Sequence, residues 1–356
     1  DVRAPALVAP PSADSFAPPA LPGASHARRA SPVRAPVSIL TARISMSRWP
    51  PRPALRPAFY KAHGLGNDYL VFEEGEGWVA TPANVARVCD RFRGVGSDGV
   101  VALLRGDTTG PGSVVELRMF NPDGGEFERS GNGLRVLGSF LARRDPALRA
   151  LRVRVGGGEV GMRVHGRDGP VHDISIEMGT ARLGPEAVDL DRAALLPGGP
   201  DGSTSGGPVH RIEGPAGDVL DVVPVGVGNP HLVVLDPEPT EERLARVGPF
   251  LVAHPSLRHG SNVQLAGVDP QGRCRALIWE RGVGRTSASG TSACAVAVAM
   301  VASGRLPHGE VRVEMPGGAL DVEVTDGLGV TLRGPVEEVM EGRLSAALLA
   351  TFEPGR

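Results

Sequence analysis

Apolar and polar residues alternate in short runs along most of this chain, and only a few stretches show the spacing of a helix. The alternation predicts strands at residues 69–73, 100–104, 114–120, 151–155, 174–178, 221–227, 232–235, 262–266, 275–279, 310–315, 320–324 and 329–333. Spacing of three to four residues predicts helices at 82–92, 133–144, 241–247 and 291–303. Glycine and proline separate nearly all of these runs, which is typical of tight turns. The pattern therefore predicts an α/β (α+β) fold.

The first 57 residues differ from the rest of the chain. They are rich in proline, alanine, arginine and serine, and their only acidic residues are Asp1 and Asp14. Such a segment buries too little apolar surface to offset its ordering entropy, so residues 1–57 are predicted to be disordered. The composition is also typical of an organelle transit peptide, and the alternative is an upstream extension with the start at Met46. A second segment, 197–208, is rich in glycine, serine and proline and is predicted to be a surface loop.

A repeat with an offset of about 160 residues organises the remainder of the chain. Three pairs of segments share this offset: the Ser-Gly units at 130–131 and 289–290, the Gly-Asn units at 66–67 and 228–229, and the runs at 153–160 and 313–320. One offset shared by three pairs predicts two domains of similar topology related by an approximate two-fold axis. Matching loops and helix starts would then face a shared cleft.

Composition and motifs exclude several classes of protein. A net charge of −2 does not favour a nucleic-acid partner, and the longest apolar run, 293–302, is about half a membrane span. Three scattered cysteines (Cys89, Cys274 and Cys294) suit neither a disulfide framework nor a cysteine zinc site, and the histidines show no metal-ligand spacing. The segment 94–99 matches the dinucleotide pattern G-x-G-x-x-G, but a helix precedes it and a strand follows, so it is predicted to be a tight turn.

Ser130 and Ser289 each lie where a helix is predicted to begin. The first turn of a helix leaves N–H groups unpaired and carries partial positive charge, so it is a natural partner for a carboxylate. Two such helix starts facing one cleft could hold a small anion and flank its reacting carbon. The alternative interpretation is that both serines are ordinary N-caps.

The remaining polar candidates are asparagines in turns, with an acid–base pair upstream of Ser289. Such groups would suit a ligand that carries several carboxylate and ammonium groups, since arginine grips a carboxylate and glutamate accepts from an ammonium. The alternative for the asparagines is turn chemistry. These candidates are Asn67, Asn121, Asn132, Asn229, Asn262, Glu280 and Arg281.

From residue 59 to its C-terminus the sequence resembles the diaminopimelate epimerase family. The segments that carry the resemblance are 62–69, 94–99, 120–125, 130–135, 228–231, 261–262, 279–284, 288–295 and 316–318. The resemblance implies two pseudo-symmetric domains, each a curved, mostly antiparallel sheet wrapped around a central helix. We place the N-terminal domain at 58–173 plus 336–356 and the C-terminal domain at 174–335.

The resemblance also implies an activity: cofactor-independent interconversion of LL- and meso-2,6-diaminopimelate by two-base transfer of the α-proton. The partner would be a small dicarboxylic amino acid, and a homodimer is expected. The location would be cytoplasmic, or a plastid if residues 1–57 are a transit peptide.

The resemblance assigns roles to particular residues. The substrate's two amino-acid ends would be bound by Asn67, Asn121, Asn229, Asn262, Glu280 and Arg281. The reacting carboxylate would lie at the backbone of Gly131, Asn132, Gly290 and Thr291, with His231 in support.

The sequence departs from the family at the two catalytic positions, where Ser130 and Ser289 stand in place of cysteines and Ser292 replaces a glycine. A thiol can be brought near neutrality at a helix N-terminus, but an alcohol is a far weaker acid, so we expect impaired epimerisation. Three interpretations stay open: an epimerase with both cysteines replaced, a homologue with another isomerase or dehydratase activity, and a non-catalytic amino-acid-binding paralogue.

Overall fold

The alternating runs form nineteen strands in the part of the chain that the computed structural model describes, residues 51–106, 114–198 and 207–354. The first nine are β1 (Ala54–Gly64), β2 (Asn67–Glu74), β3 (Trp78–Val79), β4 (Val100–Gly106), β5 (Val114–Phe120), β6 (Glu126–Phe127), β7 (Ala150–Val155), β8 (Gly158–Asp168) and β9 (Val171–Thr180). The others are β10 (Arg182–Leu183), β11 (His210–Glu213), β12 (Val219–Val227), β13 (Asn229–Leu235), β14 (Asn262–Val268), β15 (Cys274–Glu280), β16 (Gly284–Thr286), β17 (Gly309–Met315), β18 (Gly318–Val324) and β19 (Gly329–Arg343). All twelve predicted strands are confirmed.

The helices are α1 (Pro82–Cys89), α2 (Gly131–Arg144), α3 (Glu241–Val252), α4 (Gly290–Ala302) and α5 (Ala346–Leu349), with short 3₁₀ turns at Pro185–Val188 and Arg192–Ala194. The four predicted helices are confirmed, although α3 continues past Pro249, beyond its predicted end. Proline removes one helical hydrogen bond, but Leu251 is fully buried two residues later and its packing keeps the helix intact.

The predicted repeat is present as a repeat of topology. The order β1-β2-α1-β4-β5-β6-α2-β7-β8-β9 recurs as β12-β13-α3-β14-β15-β16-α4-β17-β18-β19. The parallel pairs match: β2 with β4 and β5 with β7 correspond to β13 with β14 and β15 with β17. The other named strand pairs are antiparallel among the described residues, as predicted for a mostly antiparallel fold.

Each half is built around one buried helix. Strands β1, β2, β8 and β9 pack against α2, while β12, β13, β14 and β18 pack against α4. The residues of α4 from Ser292 to Met300 are fully buried, because this helix is apolar on all sides and strands surround it. The longest apolar run of the sequence is therefore a core helix, and no helix in the described part of the chain is long and apolar enough to span a membrane.

The two halves join along β9 and β19, which pair with each other over most of the length of β9. The C-terminal part of β19 then pairs with β1, from Ala58 opposite Arg343 to His63 opposite Glu337. The last strand of the chain thus completes the sheet of the first half. The exact domain boundaries stay a prediction, since β9 and β19 contribute to both halves.

The prediction of disorder is wrong for residues 54–57, which form the start of β1. Leu55 is fully buried and pairs with Trp78 of β3, so this segment belongs to the core despite its prolines. Residues 1–50 of the predicted extension, and residues 199–206 of the predicted surface loop, lie outside the described residues. The segment 94–99 is the predicted tight turn between α1 and β4, with Gly96 at a φ of +79°.

Candidate active site

The N-termini of the two central helices meet at one side chain. A Cβ atom placed on Gly131, the first residue of α2, would lie 3.1 Å from Leu332 Cδ2. A Cβ atom on Gly290, the first residue of α4, would lie 2.9 Å from that same carbon. Both helix starts therefore lie against the same leucine side chain, and their two sets of unpaired N–H groups open toward the same region.

Ser130 is the N-cap of α2 and its side chain is engaged in capping. The Gly133 N–H donates to Ser130 Oγ at 3.1 Å, as the capping alternative predicted. Beside it lies the hydroxyl of Tyr69, which hydrogen-bonds Ser130, and burial raises the pKa of this phenol to about 12. The neighbourhood of Ser130 thus contains a phenol that stays protonated at neutral pH.

Ser289 is the N-cap residue of α4, but its side chain does not cap the helix. Its hydroxyl instead hydrogen-bonds the carboxyl group of Glu280 at the end of β15. Burial raises the pKa of Glu280, and the bond from Ser289 offsets part of that rise. The two serines occupy equivalent places in the repeat, yet a carboxylate faces only Ser289.

The first Gly-Asn unit lies against the start of α2. The Asn132 Nδ2 group donates to the Asn67 backbone oxygen at 2.6 Å and to Asn67 Oδ1 at 2.9 Å. The Asn67 Nδ2 group donates to Asp98 at 2.9 Å. Two of the predicted site residues are therefore in direct contact, and Asp98, from the turn at 94–99, holds one of them.

Asp98 belongs to a charged cluster that holds the start of β2 to the turn before β4. Arg91 donates to Asp98 at 2.6 Å and to Asp68 at 2.7 Å, and Lys61 lies 2.9 Å from Asp68. Burial would raise the pKa of Asp68, but the bonds from Arg91 and Lys61 outweigh it and lower that pKa. The sequence analysis did not identify this cluster, although the G-x-G-x-D-G turn that carries Asp98 was its visible signal.

The second Gly-Asn unit is held by a chain of buried polar side chains. His231 Nε2 donates to Asn229 Oδ1 at 2.7 Å, while His231 Nδ1 accepts from Gln264 Nε2 at 3.0 Å. Gln264 Nε2 also donates to Ser292 Oγ at 3.0 Å. Burial lowers the pKa of His231 to about 3, so the ring is neutral and presents one N–H to Asn229. His231 thus supports Asn229, and Gln264 and Ser292 are partners that the sequence analysis missed.

Asn262 and Arg281 lie together at the C-terminal end of β15. The Arg281 backbone N–H donates to Asn262 Oδ1 at 3.0 Å, and Asn262 Nδ2 donates to the Pro230 carbonyl at 3.2 Å. The exposed Arg281 guanidinium donates to the backbone carbonyl of His259. Asn121 lies in an exposed turn after β5, and among the described residues no hydrogen bond joins its side chain to the other candidates.

Two spaces flank the helix starts. A cavity of about 300 Å³ contains Asn229 and Thr291 together with Arg129, which directly precedes Ser130. Arg129 donates to the Met178 carbonyl at 3.1 Å and has no ion pair among the described residues. A second, nearly filled space is lined by Asn67 and Asn132 of the first half and by Ser289 and Gly290 of the second. The structure therefore brings both halves of the predicted site together, and Arg129 is a cation that sequence patterns did not single out.

None of the three cysteines reaches this site with a reactive thiol. All three are buried, and burial raises the pKa of each thiol to about 12. Cys294 lies inside α4, fully enclosed. Within residues 51–106, 114–198 and 207–354 no group of acidic, histidine or cysteine side chains is arranged to hold a metal ion.

The chain matches the family model described as diaminopimelate epimerase over residues 59–184 and 223–339. It is 38% identical over 298 residues to a diaminopimelate epimerase of Desulforudis audaxviator, covering 80% of this chain and 98% of that protein. A diaminopimelate epimerase of Pelotomaculum thermopropionicum is 34% identical over 289 residues, with coverage of 80% and 97%. Among solved structures, a protein from Pseudomonas aeruginosa described as a predicted epimerase superimposes with a TM-score of 0.56 at 19% identity, covering 81% of this chain and 99% of the other, which supports the fold.

Proposed function

The chain belongs to the diaminopimelate epimerase family, and from that membership we propose that it interconverts LL- and meso-2,6-diaminopimelate. One serine would take the α-proton from one face of the reacting carbon while the other serine, on the opposite face, delivers its own hydroxyl proton to that carbon, and the roles of Ser289 and Ser130 exchange in the reverse reaction. The observation that carries the proposal is the meeting of the two helix N-termini at Leu332. It supports a single bound carbon flanked by both serines.

The reacting carboxylate would be bound by backbone N–H groups in the first turns of both helices, including those of Asn132 and Thr291. These groups are pre-oriented and lie at the positive ends of the helix dipoles, so they stabilise negative charge as the α-proton leaves. The same arrangement supports the assignment of Asn67 and Asn229 to the ammonium and carboxylate groups of the substrate. Arg281 and Arg129 are the cations suited to its second carboxylate.

Proton transfer by serine is expected to be slow. General acid–base catalysis contributes roughly 100- to 10,000-fold per group, and an alcohol is poorly matched to the pH at which the enzyme works. Ser289 can pass its proton to Glu280, whereas Ser130 accepts the Gly133 N–H and has only a phenol beside it. We therefore propose an epimerase that binds its substrate well and turns it over poorly.

The test is exchange of the α-proton of LL-diaminopimelate in deuterated water, followed by proton NMR. The double variant S130C/S289C should exchange roughly 100- to 10,000-fold faster than the unmodified protein. S345C is the matched control, because Ser345 caps the short helix α5 on the surface and its replacement should change nothing. Full enzymatic exchange by the unmodified protein would refute the impairment, and no gain in the double variant would refute the proposed epimerase activity.

A second candidate function is binding without catalysis. The observation in its favour is that Ser130 Oγ caps α2 and has the Tyr69 phenol beside it, which stays protonated at neutral pH, so no base activates this serine. Calorimetry with meso-diaminopimelate distinguishes the two: a binding protein takes up the ligand, and its double-cysteine variant still exchanges no proton. The homodimer and the cytoplasmic location stay predictions, the first of which light scattering would check.

A further inference from the structure

Arg135 is a buried cation without a counter-ion in the described part of the chain. Its side chain is 1% exposed, and its Nε and Nη1 groups have no hydrogen-bond partner. Only Nη2 is engaged, donating to Asn132 Oδ1 at 2.9 Å. Burial lowers the pKa of Arg135 to about 10, which still leaves it charged at neutral pH. Buried charges in proteins are normally paired, so this one requires an explanation.

Arg135 lies at the boundary between the two halves, beside the N-termini of α2 and α4. Its side chain lines the nearly filled space between the halves, together with Asn132, Ser289 and Gly290. This space measures about 20 Å³, room for one water molecule. Strand β1 also closes in around the guanidinium: a Cβ atom on Gly64 would lie 2.8 Å from Arg135 Nη2 and 2.1 Å from Asn132 Oδ1. The absence of a side chain at position 64 leaves room for the charged group and its partner Asn132.

We infer that Arg135 is the internal counter-charge for the carboxylate of the amino acid bound at the N-termini of α2 and α4. This inference rests on the proposed function for its ligand. Arg135 acts at short range through Asn132 and the enclosed space, and it is a positioning and electrostatic residue, not one that transfers the proton. In the free protein its charge is uncompensated, and the bound carboxylate supplies the missing negative charge.

An unpaired buried charge lowers the stability of the free protein and raises its affinity for an anionic ligand. Replacing Arg135 should therefore change stability and affinity in opposite directions. R135M replaces the guanidinium with an apolar side chain of similar length. We expect calorimetric affinity for meso-diaminopimelate to fall about 10- to 100-fold, with a melting temperature equal to or above that of the unmodified protein. R135K keeps the charge and should lose less than about fivefold in affinity. R144M is the matched control, because Arg144 lies exposed at the far end of the same helix and pairs with Glu73.

The results distinguish an electrostatic role of Arg135 in ligand binding from a purely structural role. A lower melting temperature in R135M with unchanged affinity would overturn the inference, and so would equal losses of affinity in R135K and R135M. If R135M does not fold, it likewise contradicts the expected stability, and R135K still measures the effect of the charge. Failure of the unmodified protein to bind meso-diaminopimelate would refute the proposed ligand, and the melting temperature of R135M would then test the unpaired charge alone.

Discussion

His231 should remain neutral in the folded protein far below the pH at which a free histidine becomes charged. The ring is fully buried, and both of its nitrogens are engaged, Nε2 as donor to Asn229 and Nδ1 as acceptor from Gln264. A second proton would have to be placed on Nδ1, against the Gln264 N–H group. The perturbation we propose is acidification, compared between the unmodified protein and the non-titrating variant H231Q.

The magnitude follows from the difference in pKa between the folded and unfolded states. The folded pKa of about 3 lies below the unfolded value of about 6.5, so between these values only the unfolded chain takes up the proton. Stability therefore falls as pH falls through this window, by about 1.4 kcal/mol per pH unit. At pH 5.0 the contribution of His231 alone should be a loss of about 2 kcal/mol relative to neutral pH.

The assay is urea unfolding of both proteins at pH 7.5 and pH 5.0. The unmodified protein should lose about 2 kcal/mol more than H231Q between the two conditions, since the variant has no group there to titrate. H308Q serves as control for the replacement of a histidine by glutamine, because His308 is exposed and lies outside this buried cluster. Equal losses in the unmodified protein and H231Q would refute the argument, as would a nitrogen-15 NMR spectrum showing a doubly protonated His231 ring at pH 5.0.

Three further results are expected. D98N should weaken binding of meso-diaminopimelate about tenfold in calorimetry, because Asp98 anchors the Asn67 side chain; unchanged affinity would exclude that role. G94A should lower the free energy of unfolding by about 2 kcal/mol, since its Cβ would lie 2.1 Å from the Arg87 carbonyl, whereas G166A, with open space around it, should be nearly neutral in the same urea titration. The three native cysteines should not react with a thiol reagent at pH 8, and S130C/S289C should add reactive thiols; rapid labelling of the native protein would contradict the burial.

The sequence predicted the regular elements well where a strand is apolar and bounded by turns. Strand β5 was predicted with its observed ends because apolar residues alternate with Glu116 and Arg118 along it. Strand β1 was missed because Pro57 interrupts it and Arg56 and Lys61 break up its apolar residues, and only its pairing with β3 and β19 shows that it belongs to the sheet. Strand β8 was missed because glycine and charged residues dilute its alternation.

The candidate site was predictable where the repeat marked it. Ser130 and Asn67 stood out because each has a counterpart about 160 residues later. Arg135 and Gln264 were not predictable in this way. An arginine in a helix is ordinarily a surface residue, and a glutamine in a strand has no distinguishing neighbour, so only the packing of other elements around them reveals buried polar groups.

The pairing of β1 with the end of β19 affects how the protein is made in the cell. Translation releases β1 first, but its partner residues follow about 280 positions later, which corresponds to roughly 14 to 56 seconds of synthesis. During that interval one edge of the nascent first half has unpaired N–H and C=O groups, the kind of edge on which chains aggregate. The sheet of the first half is therefore expected to close only once β19 has been synthesised, and loss of residues 337–343 would leave that edge open.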